Sequence, residues 1–185
     1  MTIELRIAHT ADLDSEMRSA IRKLLYSAFG NMTADAFENA LGGVHALLLD
    51  DGSELISDGQ LIGHASVVQR QLLAGGRALR TGYIEGVAVH PGRRRRGHGA
   101  RMMAVLERVV RSAYQLGALG ASPDGARLYA ARGWQRWQGP TAALTPAGIR
   151  RTPSKDGWIY VLPAAQQDLD LSGEIVCDWR NGELW

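Results

Sequence analysis

The chemistry this chain can do is concentrated between residues 82 and 99. Arg93, Arg94, Arg95 and Arg96 run directly into Gly97-His98-Gly99. Guanidinium groups beside glycines suit a multiply charged oxyanion: the charges attract it, and the bare backbone lets N–H groups approach it. Upstream, residues 83–89 are apolar and β-branched apart from Glu85 and Gly86. On a strand Glu85 shares a face with Tyr83 and Val87. A carboxylate in that company is costly unless it has a partner, such as a cross-strand cation, or a task, such as taking up a proton.

These residues need elements to position them. Pro91 and Gly92 stop the strand, because proline cannot donate to a ladder and glycine turns cheaply. Residues 100–114 then read as an amphipathic helix with Met102, Leu106, Val109 and Ala113 on its apolar face. Strand, basic glycine-rich turn and helix together make a phosphate cradle, in which N–H groups at the helix start and the helix dipole face the anion. It is not a Walker A loop, since no Gly-Lys-Ser/Thr triplet occurs. Nor is it a dinucleotide fingerprint, whose third glycine falls on Met102. A solvated arginine run remains the plain alternative. A nucleic-acid surface is a third reading, opposed by the lack of interleaved aromatics.

The whole chain bounds the possibilities. Its 185 residues, 45% hydrophobic, fit a single domain over 1–185 with a real core. The net charge of +2 is too mild to imply nucleic acid. No apolar run is long enough to span a membrane, and the first residues read as a strand rather than a signal peptide. Cys177 is the single cysteine, so no disulfide closes within the chain, which suits the cytoplasm. The five histidines lack ligand spacing, and no metal site is expected.

Along the chain, strands are expected at 2–8, 44–49, 60–73 and 116–121, with the strand carrying Glu85 folded back on the third. A helix with acids at its start and Met17, Ile21, Leu24, Leu25 and Ala28 inward ends at Gly30, and a short one covers 33–40. Asp50-Asp-Gly-Ser and Ser57-Asp-Gly read as turns in a long connection. Ser122-Pro123 opens a helix that Gly133 closes. Short strands follow at 134–138, 142–145, 158–162 and 174–178. The order is that of an α/β (α+β) fold with a mixed central sheet flanked by helices.

Arg94-x-x-Gly97-x-Gly99 resembles the acyl-CoA pyrophosphate loop of the GCN5-related N-acetyltransferases (GNAT). Tyr129, four residues before Gly133, resembles that family's tyrosine facing the coenzyme sulfur. The likeness sharpens to the aminoglycoside 2′-N-acetyltransferases across Leu41-Gly-Gly-Val-His-Ala, Gly82-Tyr-Ile-Glu-Gly-Val-Ala-Val, Ala113-Tyr-Gln-Leu-Gly-Ala-Leu, Arg127-Leu-Tyr-Ala-Ala-Arg-Gly-Trp and Cys177-Asp-Trp-Arg-Asn-Gly-Glu-Leu-Trp185. It departs at Asn31 and Ala36, where acids are expected, and in a longer connection at 50–58.

The resemblance implies a GNAT acyltransferase fold, acetyl-CoA as co-substrate and direct transfer of acetyl to the 2′-amine of an aminoglycoside, conferring antibiotic resistance. A GNAT acetylating a polyamine, a cell-wall amino sugar or a protein amine is the alternative. Glu85, or the α-carboxylate of Trp185, would serve as base and Tyr129 as donor to the departing thiolate. Backbone around Val87, Ala88 and Val89 would face the acetyl oxyanion. Arg94, Arg95, Arg96, Gly97, His98, Gly99 and Ala100 would hold the coenzyme phosphates. Asp35, Glu85, Gly86, Gly120, Glu183 and Trp185 would meet the polycationic substrate, with Glu38 and Asp178 as further acids and Trp134 or Trp185 as a wall. Cys177 as an acyl carrier is the weaker option, lacking a paired histidine nearby in sequence. A homodimer built on the late strands is expected, and neither nucleic acid nor membrane as partner.

Overall fold

Gly75 and Gly76, at φ 57° and 71°, close the longest hairpin of the protein, a two-residue turn with both central residues left-handed. They join β3 (Gln60–Ala74) to β4 (Arg77–Val89). The computed structural model describes residues 2–30, 33–50, 60–164 and 169–185. Asn31 and both turn signals between 51 and 59 therefore lie outside the described residues. The chain forms two compact units, Met1–Val68 with Glu85–Glu107, and Gln69–Ile84 with Arg108–Trp185.

In the first unit β1 (Ile3–His9), β2 (Val44–Asp50) and the first half of β3 pair antiparallel in sequence order. Helix α1 (Ser15–Phe29) starts where the Asp14 carboxylate accepts from the Met17 N–H at 2.7 Å, and ends at Gly30 with φ 72°. Its Ile21, Leu24 and Leu25 join Leu13, Phe37, Leu47, Leu61 and Ala88 in one core cluster. Each leucine, isoleucine or phenylalanine among them, fully buried, contributes about 1.5–3 kcal/mol. Phe37 comes from the short α2 (Ala34–Glu38), capped by Thr33.

Helix α3 (His98–Ala113) follows β4 and begins two residues earlier than the sequence suggests. Met102, Met103, Leu106 and Val110 are buried, whereas Val109 is half-buried and Ala113 exposed. The buried stripe is thus rotated about one residue from the expected one. Residue spacing of three or four fixes that a stripe exists, but not which neighbour packs best.

The second unit holds the strand order β6-β9-β5-β4-β3-β10-β7-β8, where β5 is Leu116–Gly120, β6 Gln135–Arg136, β7 Thr141–Thr145, β8 Gly148–Arg151, β9 Ile159–Pro163 and β10 Ile175–Cys177. β4–β5 and β10–β7 are parallel pairs among antiparallel ones, so the sheet is mixed as expected. Ser122 caps α4 (Pro123–Ala130), with Pro123 at its first position. The strand expected at 134–138 shrinks to two residues because Trp134 and Trp137 sink into the core; the Trp137 indole donates to the Gly173 carbonyl at 2.9 Å. All four residues of β8 are exposed, so no apolar alternation marked it in the sequence.

Candidate active site

The arginine run is divided by what holds each member. Arg93 reaches the fully buried Asp50 carboxylate at the end of β2, 2.5 Å away. Arg94 turns its Nε to the Val89 carbonyl at 3.1 Å. Arg95 has φ 65°, a left-handed conformation rare for a side chain of its size, which places it on the crest of the turn. Arg94, Arg95 and Arg96 are exposed, and no carboxylate pairs with any of them among the described residues. One arginine therefore anchors the loop and three present charge.

The loop then enters α3 through Gly97, at φ 78°, whose carbonyl accepts from the Arg101 N–H at 3.0 Å. A Cβ on Gly97 would meet nothing within 4 Å, so the backbone there faces open space. The N–H groups of His98, Gly99 and Ala100 lie in the first turn, where a helix offers no partner of its own. His98 is buried, and its Nε2 has no hydrogen-bond partner among the described residues. Exposed arginines with no carboxylate partner among the described residues, first-turn N–H groups and an imidazole nitrogen unsatisfied among those residues fit a pyrophosphate-bearing co-substrate.

Upstream of this loop Glu85 is half-buried, and Gly86 adopts φ 57°, interrupting the alternation of β4. The expected common face of Tyr83, Glu85 and Val87 is thereby broken after Glu85, since the left-handed residue re-aims the strand. Glycine is needed at 86: a Cβ would lie 3.2 Å from the His64 ring and 3.3 Å from Leu25. Val87 and Val89 are half-buried and Ala88 is buried. Asp35 is exposed in the first turn of α2, and Glu38 faces Arg22 at 3.6 Å.

In the second unit Tyr129 is buried on α4, edge-on to Trp134 at 6.3 Å and tilted to Tyr160 at 6.5 Å. Burial pushes its phenol up to about 12, so it keeps its proton through neutral pH. Gly120 ends β5 exposed; a Cβ there would come 3.7 Å from the Tyr83 hydroxyl. The Trp185 ring is buried and donates from Nε1 to Thr152 at 2.9 Å. The Glu183 carboxylate faces Lys155, and its carbonyl accepts from Arg180 Nε at 2.6 Å. Asp178 takes Arg70 at 2.7 Å. Cys177 is fully buried and burial raises its thiol, which suits core packing rather than acyl transfer.

Sequence reasoning passed over two features. Asp50 read only as the start of a turn, but it is the last residue of β2, and its burial identifies it as the loop's anchor. His45 and His64 looked scattered because they lie 19 residues apart, yet β2–β3 pairing brings them to 2.9 Å. Among the described residues no cluster of three or more histidine, cysteine or carboxylate groups could hold a metal ion. No helix among them is long and apolar enough to cross a membrane.

Residues 12–136 match the model of an acetyltransferase (GNAT) domain. The chain belongs to the GNAT acetyltransferase family. Within it, the chain is 47% identical to the aminoglycoside 2′-N-acetyltransferase of Mycolicibacterium fortuitum, over 97% of this chain and 91% of that one. Among solved structures it is similar to the GNAT family N-acetyltransferase YhbS from Escherichia coli in complex with CoA, with a TM-score of 0.63 at 16% identity, covering 95% and 89% of the two chains. It also resembles Eis1 from Mycobacterium abscessus, with a TM-score of 0.58 at 19% identity. There the match covers 76% of this chain but only a third (33%) of the other. These two likenesses carry the GNAT fold, a mixed sheet flanked by helices.

Proposed function

We propose that this protein is an acetyl-CoA-dependent aminoglycoside 2′-N-acetyltransferase, acting as a single N-acetyltransferase domain over residues 1–185. The observation that carries the reading is identity of 47% with the M. fortuitum enzyme over nearly the full length of both chains. Acetyl-CoA is the family's co-substrate, and its thioester supplies the activated acetyl group. In the net reaction a C–N bond forms to the amine and the C–S bond breaks. One proton leaves the amine and one reaches the departing thiolate.

The chain's own residues have distinct parts in this scheme. Arg94, Arg95 and Arg96 supply charge to the coenzyme phosphates, and the N–H groups of Gly97 to Ala100 supply direction. Glu85 takes up the amine proton, directly or through water. The Val87 N–H donates to the acetyl oxygen as negative charge gathers there. Tyr129, whose phenol is protonated at neutral pH and is pushed further up, to about 12, by burial, donates to the leaving sulfur. Asp35 and the acid groups near the end of the chain attract a polycation, although Glu183 shares its charge with Lys155.

The protein works in the cytoplasm as a homodimer. Support for the dimer is the β7–β8 hairpin, which exposes Leu144 and Ile149, at 45% and 52%. Light scattering gives the mass directly. The activity is tested by following thiol release from acetyl-CoA over paired substrates that carry a 2′-amine or a 2′-hydroxyl. Release with the amine alone supports the assignment; release with polyamines or amino sugars, and none with aminoglycosides, would replace it with another GNAT activity.

A further inference from the structure

Behind Gly86 lies a chain of hydrogen bonds, buried at its His45–His64 link and reaching the surface at Gly42, whose direction is fixed by its ends. His64 Nδ1 is 2.8 Å from the Gly86 carbonyl oxygen. A carbonyl can only accept, so Nδ1 carries the proton. Burial holds His64 near 3, well below the ordinary 6.5, so the ring is neutral and its Nε2 is bare. His45 Nδ1, 2.9 Å from that nitrogen, must therefore donate to it. His45 is also held neutral, near 4, chiefly by burial, which leaves its Nε2 to accept from the Thr10 hydroxyl at 2.7 Å. The Thr10 oxygen in turn accepts from the N–H groups of Gly42 and Gly43, at 2.8 and 3.1 Å. Every donor and acceptor in the series is matched. Ser66 adds a second tie on the same strand, its hydroxyl 2.9 Å from the Ala40 carbonyl and 3.5 Å from that of Glu85.

The chain ends at a residue whose conformation matters. Gly86, at φ 57°, follows Glu85 and precedes Val87. A trans peptide is planar, so its N–H points opposite to its C=O. Tying the Gly86 carbonyl toward His64 therefore aims the Val87 N–H away from His64. We infer that His64, backed by His45 and Thr10, is a positioning residue that locks the Gly86–Val87 peptide so that the Val87 N–H presents itself to the acetyl oxygen. The inference rests on the acetyltransferase reading above, and it adds to that reading the device that pre-aims the donor. A fixed donor needs no reorganisation as charge develops, which is where such groups gain their effect. His64 touches neither substrate nor reacting atoms; it acts through the backbone.

The test pairs two substitutions. His64→Phe fills the space and removes the donor. His64→Asn places an amide nitrogen where Nδ1 stood and keeps a donor for the Gly86 carbonyl. His64→Phe should lower kcat at least tenfold on a 2′-amino aminoglycoside while the KM for acetyl-CoA stays within twofold. His64→Asn should recover most of the lost kcat, although both variants lose the link to His45 and some thermal stability. Packing alone would shift stability in both without separating kcat from KM. Nitrogen-15 NMR of the unmutated protein should show His64 as the neutral Nδ1–H form between pH 5 and 8, whether or not the Phe variant folds. Wild-type kcat in His64→Phe, equal damage in the two variants, or an Nε2–H tautomer at His64 would each overturn the inference. Absence of thiol release from the unmutated protein would instead sink the functional reading, and the tautomer would still decide whether the lock exists.

Discussion

At the scale of single residues, the arginine run shows that neighbours of one type can have different tasks. Arg93 neutralises a carboxylate with no exposure to solvent, whereas Arg95 and Arg96 stand on a turn with no acid of the described residues against them. Removing one partner of a buried ion pair costs about 3–5 kcal/mol, less here because Arg93 keeps 22% of its surface in water and Asp50 has a further interaction. Arg93→Ala should therefore lower stability by about 2–3 kcal/mol, read from urea midpoints. Arg95→Ala should leave stability within about 0.5 kcal/mol but raise the KM for acetyl-CoA and steepen nothing in kcat. Tyr129 separates the other way. Tyr129→Phe should lower kcat on a 2′-amino substrate and leave coenzyme affinity nearly intact, as read from steady-state kinetics and coenzyme titration. Equal loss of both would return Tyr129 to the role of a core aromatic between Trp134 and Tyr160.

At the scale of elements, several glycines mark where backbone meets backbone. A Cβ at Gly139 would fall 2.0 Å from the Gly173 carbonyl oxygen, and one at Gly43 would fall 1.9 Å from that of Val67. Neither neighbour is a side-chain tip that can swing aside. Gly139→Ala should therefore cost at least about 2–3 kcal/mol by forcing the chain apart, visible as a lowered thermal midpoint at unchanged KM in whatever protein remains folded. Local signals made much of this architecture legible: the Gly30 stop, Ser122-Pro123 and the fold-back of β4 on β3 stand where the sequence puts them, whereas Asp14, expected among the acids of the first turn of α1, caps that helix instead. The coenzyme-loop spacing was legible for the same reason, since its residues are adjacent in the chain. What escaped was set by pairing across the sheet. The His45–His64 contact and the Asp50–Arg93 pair join residues 19 and 43 positions apart, and neither has a spacing of its own to betray it. The β8 strand escaped because a fully exposed edge has no alternating pattern to read.

At the scale of the whole molecule, the buried histidines tie stability to pH. In the unfolded chain each titrates near 6.5, while His45 and His64 are held near 4 and 3 in the folded protein. Below pH 6.5 the unfolded chain gains protons that the folded one refuses, so stability falls as acid is added and is unaffected by these groups above about pH 7.5. Each histidine contributes a slope of about 1.4 kcal/mol per pH unit until its folded value is approached. Urea denaturation between pH 6.5 and 4.5 should show this decline, and His64→Asn should reduce it by one histidine's share. An undiminished slope in that variant would mean that carboxylates, not the buried pair, govern the acid response.

The proposed activity is defined by where the acetyl group goes. The most direct measurement is NMR and tandem mass spectrometry of the product formed from acetyl-CoA and an aminoglycoside that carries several amines. The expected product carries one acetyl, on the 2′-nitrogen, with one free thiol released per product. Acetyl on a different ring amine, or a mixture without preference for the 2′-position, would contradict it.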